Sequence, residues 1–222
     1  MSSWFHVRPY QARDRDAVRD LCWATAPGAG SGAHQYPDRE SWVDIYTSYY
    51  TDEEPQSAFV AVAPDERVLG YLLGCVDTRR ARGEFQIALR HNVTRFLWAR
   101  PGTAGFWWRA GWDALNFSGP SKPAIDLARF PAHMHCNLLP EARGRGVAVS
   151  LFETFHAYLR ARGVPGAYGE ALTSNRAVLG LLAKLGYRPL GEAFLVPGVR
   201  SAEGARQHGQ VMLRDLTEPH QS

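Results

Sequence analysis

The sequence predicts one α/β domain in which strands and helices interleave along most of the chain. Three observations carry that reading. The chain has 222 residues, 45% hydrophobic and 21% charged, which is enough to bury one core and close to the ~100–200 residues usual for a domain. The apolar pattern switches repeatedly between a period of two and a helical period near 3.6. A strand at 132–139 also runs through a turn with two glycines into an amphipathic helix at 147–162. No repeat or linker divides the sequence, so residues 1–222 read as a single domain.

The elements follow in order. Phe5 and Val7 alternate with His6 and Arg8 in a short first strand. Ala17, Val18, Leu21 and Cys22 give a helical stripe over 14–25, stopped by Pro27-Gly28. Asp38 is placed to cap a helix to about residue 50, with Trp42, Ile45, Tyr46 and Tyr49 on one face. Strands at 57–63 and 68–76 are joined by Pro64-Asp65-Glu66-Arg67, a hairpin turn. The long segment 78–131 carries expected helices at 84–98 and 104–115 and a Gly/Pro-rich loop at 118–123. After the helix at 147–162, Gly163 to Gly166 form a break. A strand at 167–172 follows, then a helix opened by Ser174-Asn175 and closed by Gly186 in the C′ position. Strands at 187–196 and 210–216 and a frayed tail complete the chain.

Composition excludes several function classes. No run of about 18 apolar residues occurs, so no membrane span is expected. The start lacks the basic and apolar segments of a secretory signal. Three cysteines, Cys22, Cys75 and Cys136, stand far apart, which argues against a disulfide framework or a metal site and for a reducing cytoplasm. The net charge of +3 is too small to mark a nucleic-acid binder. It is unevenly spread: 78–131 holds nine basic and three acidic residues, and the remainder is slightly acidic. Only Lys122 and Lys184 among the 25 basic residues are lysines.

The run Leu138-Leu139-Pro140-Glu141-Ala142-Arg143-Gly144-Arg145-Gly146-Val147-Ala148 carries the most chemistry. Glycines admit positive φ and close approach of a ligand. The exposed amides of a helix's first turn favour an anion, and Arg143 and Arg145 add charge. The place suits a pyrophosphate, although solvated arginines on a tight turn would look the same. The third glycine of a dinucleotide fingerprint is missing, since Val149 stands there, and no Walker Gly-Lys-Ser/Thr follows.

The spacing Arg143-x-x-Gly146-x-Ala148 resembles the Gln/Arg-x-x-Gly-x-Gly/Ala signature of the GNAT superfamily of acyl-CoA-dependent N-acetyltransferases. Ser174-Asn175 followed by Leu185-Gly186-Tyr187 is similar to that family's second motif, and the element order matches over most of the chain. More narrowly, 131–141 and Gly70-Tyr71 through Asp77-Thr78 look like a branch with a His-x-His strand. The resemblance implies a central mixed, mostly antiparallel sheet flanked by helices, with 78–131 as a helical insertion between strands three and four. It implies acetyl-CoA as co-substrate, with no metal. The backbone of Leu138 and Leu139 would hold the pantetheine arm in a gap between strands four and five. The amides of Gly144, Arg145, Gly146, Val147 and Ala148 would hold the pyrophosphate, and Asn175 would face the cofactor. Where many members carry a tyrosine acid, seven residues after that asparagine, Leu182 stands here.

Acetyl transfer needs a neutral amine, a donor to the oxyanion and a leaving thiolate. A thiol with pKa near ~8.5 leaves without a strong acid. His133 and His135, on one face of the strand, are candidate bases, since an imidazole titrating near ~6.5 takes a proton at neutral pH; both could equally be satisfied inside the fold. Asn137 is a candidate to orient them. Asp77 is a candidate ligand for an ammonium, or a turn cap; Glu170 is a candidate base or substrate ligand, or a solvent-facing acid. Cys136 reads as core. Trp108, in a segment holding four of the seven tryptophans, is a candidate lid residue over a small-molecule amine. The spacing of Trp108, Trp112 and Leu115 suits core packing, and a subunit interface leaves a homodimer open. The expected function is N-acetyl transfer to a small-molecule primary amine by direct attack, without nucleic-acid or membrane partners. The competing readings are a non-catalytic coenzyme A module and an enzyme acting on a protein amine.

Overall fold

The computed structural model describes residues 4–26, 36, 38–81 and 84–217. The helix stop at Pro27-Gly28 and most of the expected frayed tail lie outside them. Seven strands form one sheet: β1 (His6–Pro9), β2 (Ala58–Val62), β3 (Val68–Cys75), β4 (Ala132–Leu138), β5 (Gly166–Leu172), β6 (Arg188–Arg200) and β7 (Arg206–Asp215). Their order is β1-β2-β3-β4-β5-β7-β6. Every neighbouring pair is antiparallel except β4 and β5, which are parallel. Among the described residues no helix is long and apolar enough to cross a membrane.

Helices cover both faces. On one side α5 (Val147–Arg160) and α6 (Arg176–Lys184) seal a core of Phe59, Leu72, Leu151, Phe155, Leu182 and Met212 among others. Gly74 makes that closure possible: a Cβ there would fall 2.1 Å from the Phe155 ring. On the other side α1 (Arg15–Ala24) and α2 (Arg39–Val43) cover Val60, Tyr71, Leu73 and Cys75. Strand alternation therefore sends Met134, Cys136 and Leu138 to the α5 face, while His133, His135 and Asn137 face the α1–α2 side.

The expected helix at 38–50 starts as foreseen, with Asp38 accepting from the Ser41 amide at 2.9 Å. It then changes pitch. Asp44–Glu53 is a π-helix, and the Glu54 amide donates to the Tyr49 carbonyl. The local sequence supplies a reason. The hydroxyls of Thr47, Ser48 and Thr51 donate to the carbonyls four residues back, where they compete with the amides that an α-helix would place there.

The insertion holds α3 (Glu84–Thr94) and α4 (Pro101–Asn116). It is tied down at two buried carboxylates. Asp113, fully buried, accepts from the Gly198 amide and from Arg200 and Arg206 at 2.6–3.0 Å. Asp38 accepts from Arg95 at 3.0 Å and lies 3.5 Å from Arg100. The Asp113 anchor also explains why β6 and β7 run longer than expected. Residues 197–200 and 206–209, outside the expected strands, are strand here, where α4 packs along β6 and ties the hairpin to itself.

The expectation that Trp108, Trp112 and Leu115 pack into the core is not met. They share one face of α4, as their spacing requires, but are 74%, 55% and 85% exposed. The buried side of α4 is the other one, where Phe106 and Trp107 pack edge-on against Tyr36. Periodicity identifies an apolar face; it does not say that the chain itself covers it.

Candidate active site

The parallel β4–β5 ladder is short. Only Ala132↔Ala167 and His133↔Tyr168 are in register; beyond them the two strands part, although each continues for several residues. The Leu139 amide donates to the Leu69 carbonyl at 2.9 Å. By alternation the backbone groups of Leu138 point the other way, into the gap. The Leu139 amide, expected to face the gap, is thus spent on β3. The Leu138 carbonyl is met by the Arg143 guanidinium at 3.3 and 3.4 Å.

Below the mouth of the gap lies the turn into α5. Gly144 and Gly146 have φ of 71° and 84°, values that a side chain rarely adopts. A Cβ on either would meet nothing within 4 Å, so the space above this backbone is open. No side chain caps α5, and the amides of Val147, Ala148 and Val149 are the orphan donors of its first turn. Open space, free amides and two arginines fit a pyrophosphate. Arg145 rests on the Trp4 ring, 4.2 Å from its centroid, and would have to swing inward to touch a ligand. Asn175 caps α6, accepting from the Val178 amide at 3.3 Å. Leu182 is buried in the core.

On the opposite face, where the strands begin to part, a hydrogen-bonded group surrounds His133. Its Nε2 lies 2.8 Å from the Tyr50 hydroxyl and its Nδ1 2.7 Å from the Thr78 hydroxyl. Thr78 donates to the Pro131 carbonyl at 2.7 Å. With its one proton so used, Thr78 accepts from Nδ1–H, and Nε2 is left to accept from Tyr50. The Tyr168 ring packs 5.5 Å from the imidazole. The π-helical turn sets this arrangement, because it carries both Tyr50, against His133, and Tyr46, whose ring lies 5.0 Å from that of His135. Tyr50 and Thr78 are the partners of His133 that spacing did not reveal.

The histidines do not titrate near neutrality. Burial, then the Lys122 ammonium, hold His133 down at about 4, and burial alone takes His135 to about 4. Both are therefore uncharged imidazoles at neutral pH, which corrects the expectation of a group poised near ~6.5. His135 lies 3.4 Å from the Tyr71 hydroxyl and 3.5 Å from the Asn137 amide, and also bonds to the backbone of Tyr46. Asn137 donates to the buried Tyr71 hydroxyl at 2.8 Å. Burial lifts the Cys136 thiol to about 12, which leaves no thiolate for a covalent route.

The remaining candidates separate. Glu170 lies on β5 two residues past Tyr168, on the same face, with its carboxylate 2.5 Å from Lys122 Nζ. Asp77 is a turn cap: it accepts from the Arg79 amide and pairs with the Arg79 guanidinium at 2.8 Å, so it is not brought to the gap. Trp108 is on the solvent side of the insertion and is not brought there either. A cleft of about 540 Å³ lined by Tyr49, Glu53, Glu54, Asp77, Arg80 and Arg162, among others, lies at the far end of β3, away from the mouth of the gap.

No family model matches the chain. Its structure is similar to that of SsHAT, at 25% identity and a TM-score of 0.63, over 97% of this chain and all of that one. It is similar to a GCN5-related N-acetyltransferase from Kribbella flavida, at 19% identity and a TM-score of 0.55, over 96% and 98% of the two chains. An agmatine N-acetyltransferase matches at 15% identity and a TM-score of 0.59, over 96% of this chain and all of that one. The sheet order, the parallel pair that parts above a glycine turn and these likenesses agree, and the chain has the fold of these N-acetyltransferases.

Proposed function

We propose that this protein transfers an acetyl group from acetyl-CoA to the primary amine of a small molecule, by direct attack and without an acyl-enzyme. One observation carries the reading: the β4–β5 ladder stops after His133↔Tyr168, so a gap opens from the α5 glycine turn to the Tyr50–His133 pair. Acetyl-CoA, when bound, supplies the activated acyl group. The orphan amides of α5 hold the pyrophosphate, with Arg143 beside them, and the inward-facing backbone of Leu138 pairs with the pantetheine arm.

The acceptor enters from the α1–α2 side, under the insertion. Tyr50 is placed to accept a proton from the amine while passing its own to His133 Nε2, and Thr78 keeps the imidazole in the tautomer that accepts it. An imidazole held near 4 takes that proton only in passing, so the amine must arrive largely neutral. Glu170 offers a negative charge for a cationic acceptor. His135 and Asn137 hold the β4 face in shape through Tyr46 and Tyr71. Direct transfer is supported by the Cys136 thiol, which packs into the α5 core.

A thermal-shift titration with acetyl-CoA tests the donor, since a ligand that binds only the folded chain raises its melting temperature. Thiol release over a panel of small amines tests the transfer. A shift with acetyl-CoA but no release above background with any amine would leave the non-catalytic module as the better reading.

A further inference from the structure

Lys122 stands out once the fold is in view. It is one of two lysines among 25 basic residues, and it reaches into the acceptor side. The loop that carries it has Pro120 and Pro123 on either side, which limits its freedom. Pro123 is seated on β6, where a Cβ on Gly191 would lie 3.2 Å from the Pro123 Cβ. From this fixed point the ammonium reaches Glu170 at 2.5 Å and sits 5.9 Å from the Phe194 ring centroid. Glu170 shares a face with Tyr168, and Tyr168 packs on His133. The ammonium is close enough to disfavour a second positive charge on that imidazole. The side chain is half exposed, so it is not locked away from a reaction partner. The chain thus places an amine of its own beside Glu170, on the face that carries Tyr168 and His133.

We propose that Lys122 is a self-acetylation site, its ε-amine serving as an intramolecular acceptor. The inference rests on the proposed acetyl-CoA reading of the gap. The ammonium first gives a proton to water by way of Glu170. Its nitrogen then attacks the thioester carbonyl, the carbon–nitrogen bond forms, and the carbon–sulfur bond breaks. The sulfur takes the second nitrogen proton and leaves as coenzyme A thiol. One acetyl-CoA and one lysine ammonium yield one acetyl-lysine, one coenzyme A and one proton. Acetylation removes the ammonium from Glu170 and frees that carboxylate for an incoming cationic amine. The lysine thereby acts as a one-time gate on the acceptor side.

The two lysines make a built-in comparison, because Lys184 lies at the end of α6. The full chain is incubated with acetyl-CoA and both lysines are followed by peptide mass spectrometry. Lys122 should gain an acetyl group at least tenfold faster than Lys184, at a rate per molecule that does not change with protein concentration. Excess coenzyme A should suppress the mark on Lys122 and not that on Lys184. Gly146→Asp, checked for folding by its melting curve, should abolish it. With acetic anhydride, which needs no cofactor site, Lys122 should lose its lead. Equal labelling of both lysines by acetyl-CoA, or a Lys122 mark indifferent to coenzyme A, overturns the proposal. A chain that binds acetyl-CoA and acetylates a small amine while Lys122 stays unmarked overturns this inference alone. A chain whose melting temperature is unmoved by acetyl-CoA overturns the cofactor reading, and the inference with it.

Discussion

At the point where β4 and β5 part, the Tyr50 hydroxyl and the His133 imidazole face each other at 2.8 Å, the imidazole uncharged at neutral pH. Tyr50→Phe removes the hydroxyl and leaves the ring in place. It is expected to lower kcat/KM for the amine by about 100-fold, a typical share for one proton-transfer group, while acetyl-CoA affinity, read by calorimetry, stays unchanged. An equal loss of acetyl-CoA binding would mean that Tyr50 holds the cofactor side. The depressed histidines also fix a pH dependence. Each imidazole titrates at about 4 when folded and near ~6.5 when unfolded. Between these values the unfolded chain binds more protons, so stability is full above about pH 6.5 and falls as pH drops toward 4. The loss is up to about 3 kcal/mol per histidine. Melting curves across this window check it, and the slope should be shallower in His135→Gln. The His-x-His pattern was legible because alternation on a strand is local. Tyr50 was not, because its meeting with His133 depends on a helical pitch that an α-helical reading of 38–50 does not contain.

Among the elements, the insertion is held by a few charges and exposes much of its apolar surface. Asp113 is enclosed and paired with two arginines, and Arg200, first among its partners, takes its carboxyl down to about 2. Asp113→Ala removes the buried carboxylate that Arg200 and Arg206 share, and a loss of about 3–5 kcal/mol is expected in urea unfolding. A loss below 1 kcal/mol would show that α4 is not anchored there. Trp108→Ala and Trp112→Ala, by contrast, should each change stability by no more than about 0.5 kcal/mol, as surface substitutions do. Their fluorescence should report water-exposed rings. These tryptophans show where sequence reading stops. The i, i+4, i+7 spacing was read correctly as one face, but which side of a helix the chain covers is decided by distant partners, here β6 and Tyr36. Likewise the expected ends of the last two strands fall short of the observed ones, and a carboxylate 85 residues away in sequence ties down the longer hairpin.

For the molecule as a whole, the order of strands and helices was readable because each element carries its own period and its own stops. The parting of β4 from β5 has no such local mark; only the resemblance of the glycine turn to a family signature pointed to it. Everything proposed for the chemistry depends on that gap and on the turn beneath it. Gly146 is the test position: its φ of 84° makes any side chain cost about 1–2 kcal/mol of backbone strain, and a Cβ would enter the open space assigned to the pyrophosphate. The most direct measurement is isothermal titration calorimetry of the full chain with acetyl-CoA, repeated on Gly146→Ala. One-to-one binding that weakens by about tenfold or more, roughly 1.4 kcal/mol, in the variant is the expected result. No binding heat with the unaltered chain, or equal affinity in both, would contradict it.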